Sequence, residues 1–400
     1  MVKRAYKYRF YPDAKQEQLL RRTLGCARLV YNKALAARTE GWYERQERIG
    51  YAQTSSMLTS WKKQEELAFL NEVSAVALQQ ALRHLQTALT NFWSKHAKYP
   101  NFKKKRNGGS AEFTRSAFKW KNKQLKLAKC KQPLNIVWSR HFPDECVPST
   151  VTVRLEPSGR WFISILVDDP TVKPLPPVDK KVGLDVGLTT LVTTSDGDKI
   201  GNPRQLKKKY QRLRAASKAL SRKQLKSNNR AKARTKVAKI HAKIADTRKD
   251  YLHKLTTNII RENQTIVVEN LAVLNMIKNR SLARSISDAG WNELVRQLEY
   301  KSDWYGRELI KIDRFYPSSK QCGNCGFVIG KLPLSVREWE CPQCKTIHDR
   351  DINAAKNILA AGLAVSVCGA SIRPDRQGSK GQLRNPPGII DGGGKKQKPK

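Results

Sequence analysis

The stretch KVGLDVGLTTLVTTS, Lys181–Ser195, decides how the second half of this chain folds. Its Val, Leu and Thr residues come in short runs. Ser195-Asp196-Gly197 then turns the chain into a returning segment at Lys199-Ile200, so a β-hairpin is predicted. Asp185 lies inside the apolar run, where a lone carboxylate is costly unless it is paired or binds a metal. A second apolar strand, Thr265 to Val268, runs directly into Glu269, and Asp351 opens the helical pattern of DRDINAAKNIL. Each acid has a plain structural explanation when taken alone: Asp185 could bond backbone at a bend, Glu269 could pair with an arginine, and Asp351 could cap its helix. Shared divalent cations account for all three at once, and Mg2+ is the expected ion.

The order of these features resembles that of RNase H-like nucleases: a strand carrying Asp, a hairpin, a strand ending in Glu, and a late Asp at a helix start. In such sites two metals about 4 Å apart activate water, hold the scissile phosphate and stabilise the leaving oxygen. Phosphodiester hydrolysis is the expected reaction. Between residues 201 and 250 there are 18 Lys plus Arg against 2 Asp. Leu206, Tyr210, Leu213 and Leu220 mark one helix there, Val237, Ile240, Ile244 and Tyr251 a second, and Ser227-Asn228-Asn229 the break between them. A solvated charged face is the ordinary reading, but so dense a single sign repels itself unless a phosphate backbone neutralises it.

The whole chain shares that bias: 400 residues carry 77 Lys plus Arg against 34 Asp plus Glu, a net charge of +43 that needs a polyanionic partner. Hydrophobic residues at 39% exclude wholesale disorder, and the length predicts two or three folding units. No apolar run reaches the roughly 18 residues of a membrane span, and MVKRAYKYRFYP has no signal-peptide pattern. A cytoplasmic, nucleoid-associated protein without a membrane partner is expected. Of eight cysteines, Cys26, Cys130, Cys146 and Cys368 are scattered, a usage that fits a reducing compartment. The other four form Cys322-Gly-Asn-Cys325 and Cys341-Pro-Gln-Cys344, fifteen residues apart. Two such knuckles deliver four thiolates to one structural Zn2+; a redox pair is the rival reading.

In the first half, Tyr6, Tyr8 and Phe10 alternate with Lys7 and Arg9 in a strand that Pro12 ends. Leu20, Leu24, Ala27, Tyr31 and Leu35, then Leu78, Leu82, Leu85, Leu89 and Phe92, recur at helical spacing. Short alternating segments return near 111–128, 134–138, 150–155 and 160–167. A lone early strand needs partners, so a β-barrel interrupted by a helical insertion is predicted. Four prolines within Pro170–Pro177 mark a linker, and residues 371–400 read as a disordered basic tail.

GLDVGL, VVENL, SISDAGW, FYPSSKQCGNCG and HDRDINAAKNI, with the opening YKYRFYPDAKQEQLL and TLGCARLVYNKAL, together resemble the transposon-encoded TnpB family over nearly the whole chain. These are RNA-guided DNA endonucleases of insertion sequences, related to type V CRISPR effectors. The resemblance implies an α+β multidomain fold: a β-barrel wedge domain at 1–12 and 101–170, a helical recognition insertion at 13–100 and a linker at 171–180. It further implies a RuvC-like nuclease domain at 181–314 and 349–370 with a basic helical hairpin at 201–260, and a zinc-binding insertion at 315–348. Asp185, Glu269 and Asp351 match the catalytic carboxylates that hold two Mg2+, with Asp349 as rival for the third. Cys322, Cys325, Cys341 and Cys344 match the zinc ligands, and Tyr51, Thr54, Ser55 and Gln79 the positions that contact a DNA motif flanking the target. The implied partners are a guide RNA transcribed from the element and double-stranded target DNA, bound by a monomer, with base pairing reading the sequence. The alternatives are a nuclease-inactive RNA-guided regulator and a transposase acting without a guide.

Overall fold

The computed structural model describes residues 2–333 and 335–367, so the tail expected at 371–400 lies outside the described residues. The chain begins with strand β1 (Val2–Phe10), whose alternation buries Tyr6, Tyr8 and Phe10. Helices α1 (Ala14–Arg45), α2 (Tyr51–Lys63) and α3 (Ala75–Trp93) follow. Asp13 starts α1 with a capping box: its carboxylate accepts from the Gln16 N–H at 2.8 Å, and Gln16 Oε1 accepts from the Asp13 N–H. Strands β2 (Gly109–Thr114), β3 (Phe118–Lys121), β4 (Gln124–Leu127), β5 (Ile136–Val137), β6 (Thr150–Leu155) and β7 (Trp161–Asp169) complete the first half.

β1 pairs antiparallel with β7 on one side and β5 on the other, in a sheet ordered β2-β6-β7-β1-β5, while β3 and β4 form a separate hairpin. This corrects the predicted barrel. The sheet stays open because helices α1 and α3 pack against edge strand β2, and the opposite edge, β5, offers only two residues. One apolar core nevertheless joins Tyr8, Phe10, Phe113, Leu125, Leu127 and Ile163 beneath it. Leu20 and Leu24 of α1 enter that core. Val30, Ala34 and Leu35, further along the same helix, enter a second core with Leu58 and Trp61 of α2 and Leu78, Leu82 and Leu85 of α3.

The prolines of 170–177 leave no room for a ladder or helix, and the connecting segment is instead tied to the second half, where the Leu175 N–H donates to the Tyr305 carbonyl at 3.0 Å. Strands β8 (Lys181–Val186), β9 (Thr190–Thr194) and β10 (Lys199–Gly201) run antiparallel in sequence. Helices α4 (Gln205–Ser221) and α5 (Asn228–Glu262) then form a hairpin around the small core of Leu213, Ala216, Ile240 and Ile244. β11 (Thr265–Glu269) lies parallel to β8, and after α6 (Val273–Met276), α7 (Ala283–Ala289) and α8 (Trp291–Tyr305), β12 (Glu308–Ile312) lies parallel to β11. The resulting order is β10-β9-β8-β11-β12. β13 (Glu338–Glu340) and β14 (Ile347–Asp349) form a small hairpin before α9 (Arg350–Val367), which packs back across β8, β9, β11 and β12.

Candidate active site and metal centre

Close approach of α9 to the sheet sets the position of the acids. A Cβ on Gly183 would sit 2.1 Å from the Ala355 carbonyl oxygen and 2.7 Å from the Leu359 nitrogen, so glycine is required where helix and strand cross. Asp185 is two residues further along β8, and Asp351 is one helical turn before Ala355. In the parallel β8–β11 register Val268 lies beside Leu184, which brings Glu269 to the level of Asp185 on the neighbouring strand. Burial, then the charges of Glu269 and Asp351, push the Asp185 carboxyl up to about 7. Burial also raises Glu269, opposed by the Ser318 hydroxyl, which donates to Glu269 Oε1 at 2.6 Å. The charges of Glu269 and Asp351 thus both reach Asp185, but among the described residues the three carboxylates do not gather as tightly as the cysteines do. Arg337 reaches Asp351 Oδ1 at 3.4 Å from an exposed side chain.

Asp349 has a different occupation. Its Oδ1 accepts the N–H groups of Asp351 and Ile352 at 3.1 and 3.0 Å, capping α9, and its Oδ2 accepts from Lys199 Nζ at 2.5 Å. Burial pushes this carboxyl upward, but the Lys199 and backbone hydrogen bonds outweigh it and hold Asp349 below the usual carboxylate range.

The cysteines form a tighter group. All four Sγ atoms lie within 4.8 Å of one another, with Cys322–Cys344 and Cys325–Cys341 each at 3.6 Å. Sulfur–sulfur separations of this size suit one tetrahedral ion with Zn–S bonds of about 2.3 Å. The two knuckles share one hydrogen-bond pattern: the Gly326 N–H donates to the Cys322 carbonyl and the Lys345 N–H to the Cys341 carbonyl, each at 2.9 Å. Gly326 and Lys345 both adopt positive φ, +79° and +60°, to close these turns. The Thr346 hydroxyl and N–H hold the Cys344 thiol below its ordinary value, which favours the thiolate, the form that binds metal. His348 Nε2 lies 3.0 Å from Cys322 Sγ but outside the four-donor group.

Residues that sequence reading passed over join the two centres. Asn353 accepts from the Gly323 N–H at 2.9 Å and donates to the Gln321 carbonyl at 2.7 Å. Asn357 donates to the carbonyls of Ser318 and Gln321 at 2.8 and 2.7 Å. One face of α9 thus holds both the start of the first knuckle and the serine that touches Glu269. The helical periodicity of DRDINAAKNIL was the available signal, since positions 353 and 357 lie one turn apart. Asp288 of SISDAGW is a second such anchor. It is buried and accepts the Leu206 and Lys207 N–H groups and Arg248 Nη2, fastening the start of α4 to α5.

The four positions expected at a flanking motif differ in exposure. Gln79 is exposed on α3, and Ser55 and Tyr51 are half-buried at the start of α2, with the Arg83 guanidinium 5.0 Å from the Tyr51 ring centroid. Thr54 is 1% exposed and its hydroxyl donates to the carbonyls of Gly50 and Tyr51. Its side chain is turned towards the helix backbone, away from solvent.

Three family models match: one described as "Probable transposase" over residues 162–280, "Cas12f1-like, TNB domain" over 291–358, and "Helix-turn-helix domain" over 1–47. A protein of Streptomyces pristinaespiralis, provisionally named an RNA-guided DNA endonuclease, is 58% identical over 380 residues, covering 95% of this chain and 94% of the relative. The chain belongs to the TnpB family. InsQ of Escherichia coli (strain K12), with the same provisional name, is 34% identical over 390 residues, covering 93% and 95%. The fold of this TnpB chain also resembles a Cas12f1 solved by cryo-EM with sgRNA and target DNA (TM-score 0.56, 15% identity, 89% of this chain and 98% of that one). In the TnpB fold seen here, residues 1–47 are strand β1 and the single helix α1 rather than a helix-turn-helix.

Proposed function

We propose that the chain is an RNA-guided DNA endonuclease whose Asp185, Glu269 and Asp351 hold two Mg2+ ions, and whose four cysteines hold one structural Zn2+. The observation that carries this reading is the placing of three acids, far apart in sequence, towards one end of the β8–β11 sheet, where burial and then the charges of Glu269 and Asp351 raise the affinity of Asp185 for a proton. Like-charged carboxylates in that arrangement are stabilised by divalent cations. Such ions supply an activated water and charge neutralisation for in-line displacement at a phosphodiester. Strand order β10-β9-β8-β11-β12, with α9 laid across it, supports an RNase H-like, RuvC-type nuclease domain.

Within this reading Ser318 orients Glu269, Asn357 holds Ser318, and Asp349 fixes the first turn of α9 so that Asp351 points at its partners. The basic α4–α5 hairpin grips nucleic-acid backbone, with Asp288 keeping it in register with the site. Sequence is read by base pairing of a guide RNA, and Gln79, with Ser55 and Tyr51, is proposed to contact the flanking DNA motif. The test is cleavage of a matched DNA target by the protein purified with its RNA. Cutting should require Mg2+ and guide and disappear in Asp185→Ala while target binding persists. Cleavage by that variant at the wild-type rate refutes the assignment; strand joining without RNA would favour a transposase instead.

A further inference from the structure

Ile312, the last residue of β12, pairs with Glu269 on β11, and the Ser318 hydroxyl donates to the Glu269 carboxylate at 2.6 Å. Residues 313–317 are therefore pinned at both ends beside one of the acids assigned to metal. The turn they make is also braced internally. Asp313 Oδ1 accepts the Phe315 N–H at 2.8 Å, and the Asp313 carbonyl accepts the Tyr316 N–H at 3.3 Å. Tyr316 packs against Val267, Ile312 and Ile358, and Asn357 of α9 holds the Ser318 carbonyl. On this fixed turn Phe315 is 85% exposed, more than any other large hydrophobic side chain among the described residues. Arg314 beside it is exposed as well.

A single apolar side chain in water is ordinary on a protein surface. Position sets this one apart. Phe315 is three residues from Ser318, so the two Cα atoms are at most about 11 Å apart, and Ser318 touches Glu269. A nucleic-acid strand whose phosphate lies at the acids therefore passes within reach of the ring. Such a strand offers phosphates, which suit Arg314 and gain nothing from a phenyl ring, and base faces, which stack on an aromatic side chain whatever the sequence. A paired base is covered by its neighbours in the duplex, so the ring is matched to an unpaired one. We propose that Phe315 stacks on an unpaired base next to the phosphodiester to be cut, with Arg314 on an adjacent phosphate, and so holds the strand for in-line displacement. The proposal rests on the reading of Asp185, Glu269 and Asp351 as a nuclease site and adds a contact that positions its substrate.

Photocrosslinking tests this without requiring a cut. The full chain, purified with its RNA, is mixed with matched target DNA carrying 5-iododeoxyuridine at successive positions, irradiated, and the joined peptide identified by mass spectrometry. Crosslinks to Phe315 are expected at neighbouring positions of one strand; their absence at every position overturns the proposal. Single-turnover cleavage of bound target is the second readout. Phe315→Ala and Phe315→Leu should cut about tenfold more slowly, the scale of one lost base stack, whereas Phe315→Trp should stay within about twofold of wild type. All three should keep the wild-type melting curve, since the side chain is exposed, and the wild-type target affinity, since guide pairing carries binding. Leucine would rescue a merely apolar contact, so cutting by Phe315→Leu at the wild-type rate refutes stacking. The same result with Phe315→Ala removes the proposal and leaves the nuclease reading intact. Crosslinking to Phe315 with no cutting by wild type does the reverse. If wild type gives no crosslink there and Phe315→Ala abolishes self-association, the ring is a contact between copies and the proposal fails.

Discussion

The cysteine cluster and the three carboxylates are assembled in opposite ways. Four sulfurs come from two short turns within 23 residues and lie within 4.8 Å of one another. The three acids come from two strands and a helix spread over residues 185–351, and their closeness shows in the raised pKa of Asp185 rather than in a tight donor shell. A local turn can preform a site from its own backbone geometry, whereas a long-range site depends on the packing that brings its elements together. α9 touches both, through Asn353 at the first knuckle and Asp351 at the sheet.

The most severe break in the comparison is Asp185→Ala, expected to lower the cleavage rate by about a thousandfold or more, the several kcal/mol that bound metal supplies, while gel-shift binding of target stays close to wild type. Next comes Cys341→Ser. Structural zinc sites in isolated modules contribute on the order of 10 kcal/mol to folding. Zinc measured by mass spectrometry should therefore fall from one per chain towards none, limited proteolysis should open the 315–348 segment, and β8–β12 should stay protected. Protection of both regions would show that the cysteines are dispensable for folding.

The link between the two centres is sharpened by Asn357→Ala, expected to cost about tenfold to a hundredfold in cleavage, as loss of a residue orienting a metal ligand does, with zinc retained. A smaller effect separates the centres by pH. Asp185 has its folded pKa raised to about 7 from 3.8, so the folded protein holds its proton more tightly than the unfolded chain. Its contribution to stability is therefore greatest below pH 4 and is lost as pH rises towards 7. In metal-free protein, chemical denaturation should show that decline, Asp185→Asn should flatten it, and added Mg2+ should offset it at neutral pH. The least effect belongs to Asp349→Ala, which removes the α9 cap at a cost of about 1 kcal/mol and leaves cleavage within a few-fold, in contrast to Asp351→Ala. Equal loss in both variants would reverse the assignment of the third acid.

Much of the architecture was legible because it rests on local pattern. Tyr6, Tyr8 and Phe10 alternate as β1 requires, the leucine repeat of α3 meets the later part of the α1 repeat in one core, and Gly197 turns β9 towards β10. The barrel was misread because alternation establishes that a strand is half-buried, not which element covers its edge; α1 and α3 lie where closure would have needed another strand. The burial of Thr54 was not legible for a related reason, since a hydroxyl near a helix start looks the same in sequence whether it faces solvent or its own backbone. Ser318 and Asn357 went unnoticed because such polar residues are common, and only their partners set them apart.

By itself, the sequence determined the paired cysteine spacing, the acids at strand and helix ends, and a charge of +43 that calls for a polyanion. These properties follow from residue type and short-range spacing. Tertiary structure decided that Asp349 caps α9 and pairs with Lys199, and which loop supports Glu269. Those outcomes depend on where helices come to rest against sheets, a balance of packing across the whole chain that no short window of residues contains.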